Sequence, residues 1–275
     1  MKIAIIGSEG YVGSAFRRMV EDRYEVITYD PKLGDKSATK DEVNTADLAV
    51  VATPTLMDKS KEFPFPCDTS IVEDCISWIN TTVILIKSTI TPGTTDMLKK
   101  KYNKRICMSP EYAGESTYYL PVGYDYVDDM KKTPWNIIGG DDEDVSYIFD
   151  IMAPIWGPKK DYYICSAKEA EVIKYMENTY FGVKITFAQE MYNICKKMNV
   201  NWYRVWQGWS LDNRVDKMHT MVFPEGRGFA GKCLPKDLNA LVRASIDAGY
   251  EPKMLKSMLE SNRGTRKENG KEIDY

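Results

Sequence analysis

Cys233 stands immediately before Leu-Pro-Lys-Asp, a run that reads as the opening turn of a helix. Proline suits that turn because it lacks the N–H that would otherwise be orphaned there. A thiol at a helix N-terminus, with Lys232 and Lys236 nearby, is expected to have a lowered pKa and more thiolate at neutral pH. Such a thiolate is a nucleophile, and Asp237 falls in the same first turn as a carboxylate for proton transfer. The other cysteines (67, 75, 107, 165 and 195) lie in expected strands or helices or, for Cys67, in a loop, where packing is their expected role. A second group is Lys174 and Asn178, four apart on one helical face with Glu171 and Phe181 in register. A stripe of this kind is ordinarily solvated, and it becomes chemical only if it faces a cleft. Glu111 and Glu115 in SPEYAGES, and Thr89 in KSTITPGTT, emerge from the carboxyl ends of expected strands, where ligands bind in open α/β sheets.

Gly7, Gly10 and Gly13 follow the first apolar run and open a helix. That order suits a tight turn, close approach of backbone to a pyrophosphate, and N–H groups facing negative charge. The spacing, G-x-x-G-x-x-G, is one residue longer than the usual dinucleotide fingerprint. Asp30, at the end of the second apolar run, stands where an acid accepts hydrogen bonds from adenosine ribose hydroxyls. It favours NAD over NADP, with Lys32 close by as the counter-indication. ATPT at 52–55 ends the third run and is expected to line the cofactor side with Thr53, Pro54 and Thr55.

The elements that must position these residues are legible in the periodicity. KIAIIG, YEVITYD, LAVVAT, TVILIKST, KRICMS and WNIIGG read as strands, separated by stretches such as YVGSAFRRMVEDR that are apolar at helical spacing. This alternation predicts an α/β architecture. A Rossmann-like, doubly wound parallel sheet is expected over residues 1–166, followed by a mostly α-helical domain over 167–275. Further helices are expected over 201–208, 235–248 and 252–262, an irregular stretch over about 209–233, and fraying over 262–275. The chain has 275 residues, 43% hydrophobic and 28% charged, with net charge −3, so no basic nucleic-acid footprint is expected. No apolar run approaches a membrane span and the N-terminus is not a secretory signal. With no C-x-x-C pair, the cysteines read as reduced, cytoplasmic thiols. A single histidine, His219, rules out a multi-histidine zinc site, and no metal is expected.

Taken in order, these motifs resemble the UDP-glucose/GDP-mannose dehydrogenase family. The matching runs are GYVG at 10–13, ATPT at 52–55, DTSIVE at 68–73, KSTITPGT at 87–94 and SPEYAGE at 109–115. They continue with EVIKYMENTY at 171–180 and its flank, DNR at 212–214 and GFAGKCLPKD at 228–237. The resemblance implies an NAD-dependent, four-electron oxidation of the C6 alcohol of a nucleotide sugar to a carboxylate. NAD would lie against Gly7, Gly10, Tyr11, Val12, Gly13, Asp30, Thr53, Pro54, Thr55 and Thr89. Cys233 would form a thiohemiacetal and then a thioester. Asp237, with Lys174 and water, would take part in proton transfer; Lys174 and Asn178 would stabilise oxyanions; Glu115 would activate the hydrolytic water, with Thr89 helping to place it. Glu111, Gly228, Phe229 and Gly231 would contact the substrate, and Arg214 would reach it across a homodimer interface.

The chain departs from the family pattern in the longer glycine loop and in Ala230, which replaces a glycine and would be strained at positive φ. Residues 117–135 are rich in aromatics (Tyr118, Tyr119, Tyr124, Tyr126, Trp135) that suit either a substrate cover or loop packing. The chain stops where the family's central helix would be under way, so it reads as a short form lacking the C-terminal nucleotide-binding domain. Two other readings are a two-electron β-hydroxyacid-type dehydrogenase and a non-catalytic NAD-binding subunit.

Overall fold

The computed structural model describes residues 1–112 and 129–271. They fall into two compact units, one of Met1–Leu56 with Asp68–Lys174, the other of Met57–Cys67 with Tyr175–Tyr275. The first unit opens with β1 (Lys2–Ile6), α1 (Tyr11–Val20), β2 (Glu25–Tyr29), a single-turn α2 (Lys40–Val43) and β3 (Leu48–Val51). A two-stranded ladder follows, β4 (Leu56–Met57) with β5 (Cys67–Asp68). Then come α3 (Ser70–Trp78), β6 (Val83–Ile86), α4 (Thr94–Tyr102), β7 (Ile106–Met108), β8 (Trp135–Gly139), α5 (Asp142–Trp156) and β9 (Asp161–Cys165).

Among the described residues, seven strands form one sheet in the order β2-β1-β3-β6-β7-β8-β9. Its aliphatic strands are buried on both faces, and alternate residues feed opposite cores. Ile3, Ile5, Leu48, Val50, Val83 and Leu85 pack with α1 and α5 through Phe16, Met19, Ile148 and Met152. Ala4, Ile6, Ala49, Val51, Ile84 and Ile86 pack with Val72 and Ile76 of α3 and Leu98 of α4. The expected doubly wound sheet is therefore present, with two differences. β8 runs antiparallel to β7, and β9 adds a seventh strand that the sequence did not announce. As an edge strand it leaves Tyr163 and Ile164 exposed, so it lacks the continuous apolar signature of the central strands.

The helix α6 (Ala167–Lys197) starts in the first unit and continues into the second, which adds α7 (Trp202–Trp209), α8 (Leu234–Asp247) and α9 (Lys253–Glu268). Phe229, Leu238, Val242, Met258 and Leu259 form the core of the second unit, with Phe63 and Phe65 packed against it. A Cβ at Gly182 of α6 would lie 2.3 Å from Leu238 Cδ2, so the close approach of α6 and α8 depends on that glycine. The expected fraying beyond residue 262 does not occur at that point. α9 runs on to Glu268 because Asn262, Thr265 and Arg266 are buried despite their polarity. His219 belongs to this packing, with its ring centroid 4.3 Å from that of Phe181. Burial, reinforced by Lys184 and opposed by Asp216, pushes its pKa down to about 4. No helix among the described residues is long and apolar enough to cross a membrane, and no described group of His, Cys, Asp and Glu side chains has a metal-holding arrangement.

Candidate active site

The glycine loop between β1 and α1 has the geometry a dinucleotide phosphate requires. Gly7 lies at φ 84°, and a Cβ there would meet the Ala52 carbonyl oxygen at 2.6 Å. A Cβ on Gly13 would meet the Gly7 carbonyl oxygen at 2.1 Å, so this helix could not approach the strand with any larger residue. Gly10 is the N-cap of α1 and donates its N–H to Gly7 O at 3.1 Å, closing the longer loop into a turn. Tyr11, Val12 and Gly13 then form a first turn that contains no acidic side chain, leaving the positive end of the helix available for an anion. At the neighbouring strand end, Asp30 is buried and accepts from the Glu9 and Lys32 amides at 3.0 and 2.9 Å. These two bonds leave acceptor capacity on its carboxylate.

The ends of β3 and β6 are laced together: Thr55 Oγ1 donates to Thr89 O at 2.8 Å, and Ser88 Oγ donates to Thr53 O at 2.7 Å. Thr53 Oγ1 is buried without a partner among the described residues, while Pro54 is exposed at the rim. An orphaned hydroxyl beside a cradle that any Cβ would fill fits a nicotinamide dinucleotide in this crevice.

Beside it, Lys174 Nζ lies 3.8 Å from Glu111 Oε1 and over the Tyr112 ring, which in turn packs edge-on against Trp135. Lys174 is only 6% exposed. The Lys174 stripe is therefore buried rather than solvated, and Glu171, one turn earlier, is wholly buried. Its carboxylate accepts from Gly93 N, Thr95 N and Thr95 Oγ1, capping α4 from another helix. Burial pushes the Glu171 pKa up, against the pull of those hydrogen bonds. Sequence reasoning passed over Lys87, whose ammonium is buried and donates to Ser109 Oγ at 2.9 Å. Burial, helped by Lys160 and opposed by Glu111, lowers its pKa to about 8. Glu115, Tyr118, Tyr119, Tyr124 and Tyr126 lie outside the described residues.

In the second unit, Asp237 is 1% exposed in the first turn of α8. One carboxylate oxygen accepts from Asn178 Nδ2 at 2.5 Å and the other from Lys236 Nζ at 2.5 Å. Lys236 is itself buried. That burial works against its charge, but Asp237 outweighs it, with Cys67 and Cys233 also favouring the charged form, and the pKa is raised. Cys233 is the N-cap of α8, exposed, and within electrostatic reach of this ammonium. The structure thus joins Asn178, Asp237, Lys236 and Cys233 around one helix start. Lys236 had been legible only as a neighbouring charge.

The loop leading to Cys233 is clamped from two helices. Arg227, buried over the Tyr192 ring, donates to Gln189 Oε1 at 2.5 Å and Asn193 Oδ1 at 2.9 Å. Asn262 of α9 accepts from Phe229 N at 2.8 Å and donates to Phe229 O at 3.0 Å. No motif announced either clamp. Phe229, expected at the substrate, has its ring 2% exposed in the core and both its backbone polar groups bonded to Asn262. Gly228 and Gly231 carry the positive φ values of the loop, 79° and 84°, whereas Ala230 is outside the positive-φ region and unstrained. Arg214 is highly exposed and forks onto Asp212 at 3.0 and 2.6 Å.

Residues 168–264, which include both this helix start and the Lys174 turn, match the central domain of the UDP-glucose/GDP-mannose dehydrogenase family. Over that central domain, about a third of its length, the chain is similar to the UDP-glucose/GDP-mannose dehydrogenase family. It is 28% identical to the UDP-glucose 6-dehydrogenase AglM of Haloferax volcanii over 96% of this chain and 70% of that protein. It is 30% identical to the UDP-glucose 6-dehydrogenase of Campylobacter jejuni over 84% of this chain and 56% of that protein. The chain therefore spans between about half and about two thirds of these family members. The fold is similar to that of a UDP-glucose dehydrogenase from Pyrobaculum islandicum, with TM-score 0.80, 21% identity, and 96% of this chain and 68% of that one covered. It is also similar to that of a 3-hydroxyisobutyrate dehydrogenase from Mycobacterium tuberculosis, with TM-score 0.69, 14% identity, and 98% and 94% covered.

Proposed function

We propose that the chain is an NAD-dependent dehydrogenase of a nucleotide sugar, carrying a primary alcohol through the aldehyde to the carboxylate on Cys233. The observation that carries this reading is Cys233 at the start of α8, beside a buried Lys236–Asp237–Asn178 cluster. Bound NAD supplies the hydride acceptor, twice per substrate. Asp237, with Lys174 and a water, takes the alcohol proton. The Cys233 thiolate, favoured by the Lys236 charge, adds to the aldehyde carbon, and Lys174 and Asn178 hydrogen-bond the oxyanion that results. Loss of the second hydride leaves a thioester, and water activated by Glu115 releases the carboxylate and the free thiol. Histidine has no part in this chemistry, in keeping with a His219 held neutral by burial.

A homodimer through the helical unit belongs to the same reading. The Arg214 side chain is 90% exposed, and Met176, Tyr180, Phe187 and Ile194 form an exposed apolar stripe along α6. Six free cysteines suit a reducing compartment, the cytoplasm. The second reading, a two-electron β-hydroxyacid dehydrogenase, is favoured by the near full-length match to the Mycobacterium fold. Counting NADH formed per substrate consumed, over UDP-sugars, GDP-sugars and free sugars, separates the two. Two per substrate is expected, and one favours the alternative. NAD binding with no NADH from any sugar would make the chain a non-catalytic subunit.

A further inference from the structure

Among the described residues, Lys87 is a buried ammonium at the strand ends to which the proposed reaction gives no task. It sits one residue past the ladder between β6 and β7, whose last registered pair is Ile86 with Met108. Its own N–H is spent on Val51 O at 2.8 Å, and Ser109 N donates to Ile86 O at 3.0 Å. Beyond Ser109 the chain leaves the sheet through Pro110, which has no N–H to donate, and arrives at Glu111. The Lys87 side chain supplies the tie that the ladder no longer provides. Lys87 is 7% exposed, its ammonium above the Phe16 ring at 6.0 Å with Ser109 Oγ as its hydrogen-bond partner. The charges that bear on it are Glu111, which favours its ionised form, and Lys160, which opposes it. Keeping an ammonium here is costly, since a hydroxyl alone compensates poorly for lost water. A Met side chain would fill similar space without that cost.

We propose that Lys87 is a positioning residue: bonded to Ser109, it holds the Ser109–Pro110–Glu111 segment so that the Glu111 carboxylate meets Lys174. The proposal deepens the dehydrogenase reading and rests on it, because Lys174 is the group it serves. Lys87 touches no reacting atom. It acts through Glu111, so its effect must disappear when the Glu111 charge is gone.

A double-mutant cycle tests this on the full chain with Lys87→Met, Glu111→Gln and both together, each checked by thermal melting. The expected result for Lys87→Met is a fall in kcat on the order of ten-fold with an unchanged KM for NAD. The double variant should be no slower than Glu111→Gln alone. Multiplying effects, or an unchanged kcat in Lys87→Met, overturn the proposal. Lys87→Gln, which keeps a donor for Ser109 but drops the charge, replaces Lys87→Met should the latter fail to fold. The same cycle on urea unfolding needs no turnover: coupling between positions 87 and 111 is expected, and additivity there overturns the proposal. Absence of NADH formation by the unaltered chain would instead count against the dehydrogenase reading.

Discussion

Asp237 has both carboxylate oxygens engaged inside the protein, and the asymmetry of its partners decides what its removal does. Asn178 is neutral, whereas Lys236 is a buried cation whose charge is sustained mainly by Asp237. Asp237→Asn therefore leaves an ammonium without its counter-charge, at a cost of about 3–5 kcal/mol. Urea unfolding should show that loss together with the loss of NADH formation. A double change with Lys236→Met should recover much of the stability and none of the activity. His219 provides a pH test. Its pKa is about 4 when folded against an ordinary 6.5, so the unfolded chain binds the extra proton between those values. Its contribution to stability is complete above pH 6.5 and is lost as pH falls towards 4. Because it is the only histidine, its imidazole Hε1 NMR signal should titrate with a midpoint near pH 4; a midpoint near 6.5 would refute its burial. At this scale the sequence exposed Cys233 and Asp237, whose helix start carries local signals. Lys87, Lys236, Arg227 and Asn262 stayed hidden because burial of a polar residue is set by distant elements packing over it.

Among elements, the reach of α6 towards α4 is the least obvious from sequence. The α4 N-cap, Gly93, has a left-handed backbone at φ 95° and no capping side chain of its own. Glu171 supplies the cap from 76 residues away, through Thr95 N and Oγ1 at 2.8 and 2.6 Å. Glu171→Gln keeps the shape but turns an amide NH2 towards donors, so a loss of about 1–3 kcal/mol is expected. Faster hydrogen exchange at the Gly93 and Thr95 amides would locate it; unchanged exchange there would count against the cap. The central strands were legible because both of their faces are buried and their sequences are continuously aliphatic. β9 and the last turns of α9 were not, since one is a half-exposed edge and the other is held by Asn262, Thr265 and Arg266, residues that read as solvent-facing. The expectation of a solvated Lys174 stripe failed for a related reason. Periodicity finds the apolar side of a helix, but on α6 part of that side is exposed and part of the polar side is buried.

At the scale of the whole molecule, the exposed side of α6 carries Met176, Tyr180, Phe187 and Ile194, with Met176 70% and Phe187 48% exposed. Spacings of four and seven residues place them on one seam, the pattern a second helix packs against. Met176→Glu with Phe187→Glu should therefore shift sedimentation from dimer to monomer, while circular dichroism keeps its helical signal. An unaltered chain that already sediments as a monomer would sink the homodimer. The six thiols differ in their access to solvent. Burial pushes Cys75 and Cys107 up to about 11 and 12 and also raises Cys165, and Cys195 is buried. Cys67 and Cys165 are partly covered, and Cys233 is exposed. A haloacetamide reagent used briefly on the folded chain should thus mark Cys233 well ahead of the others. One fluorophore per polypeptide would then count competent molecules in a preparation, and protection of that label by a candidate sugar nucleotide would rank ligands without any turnover assay.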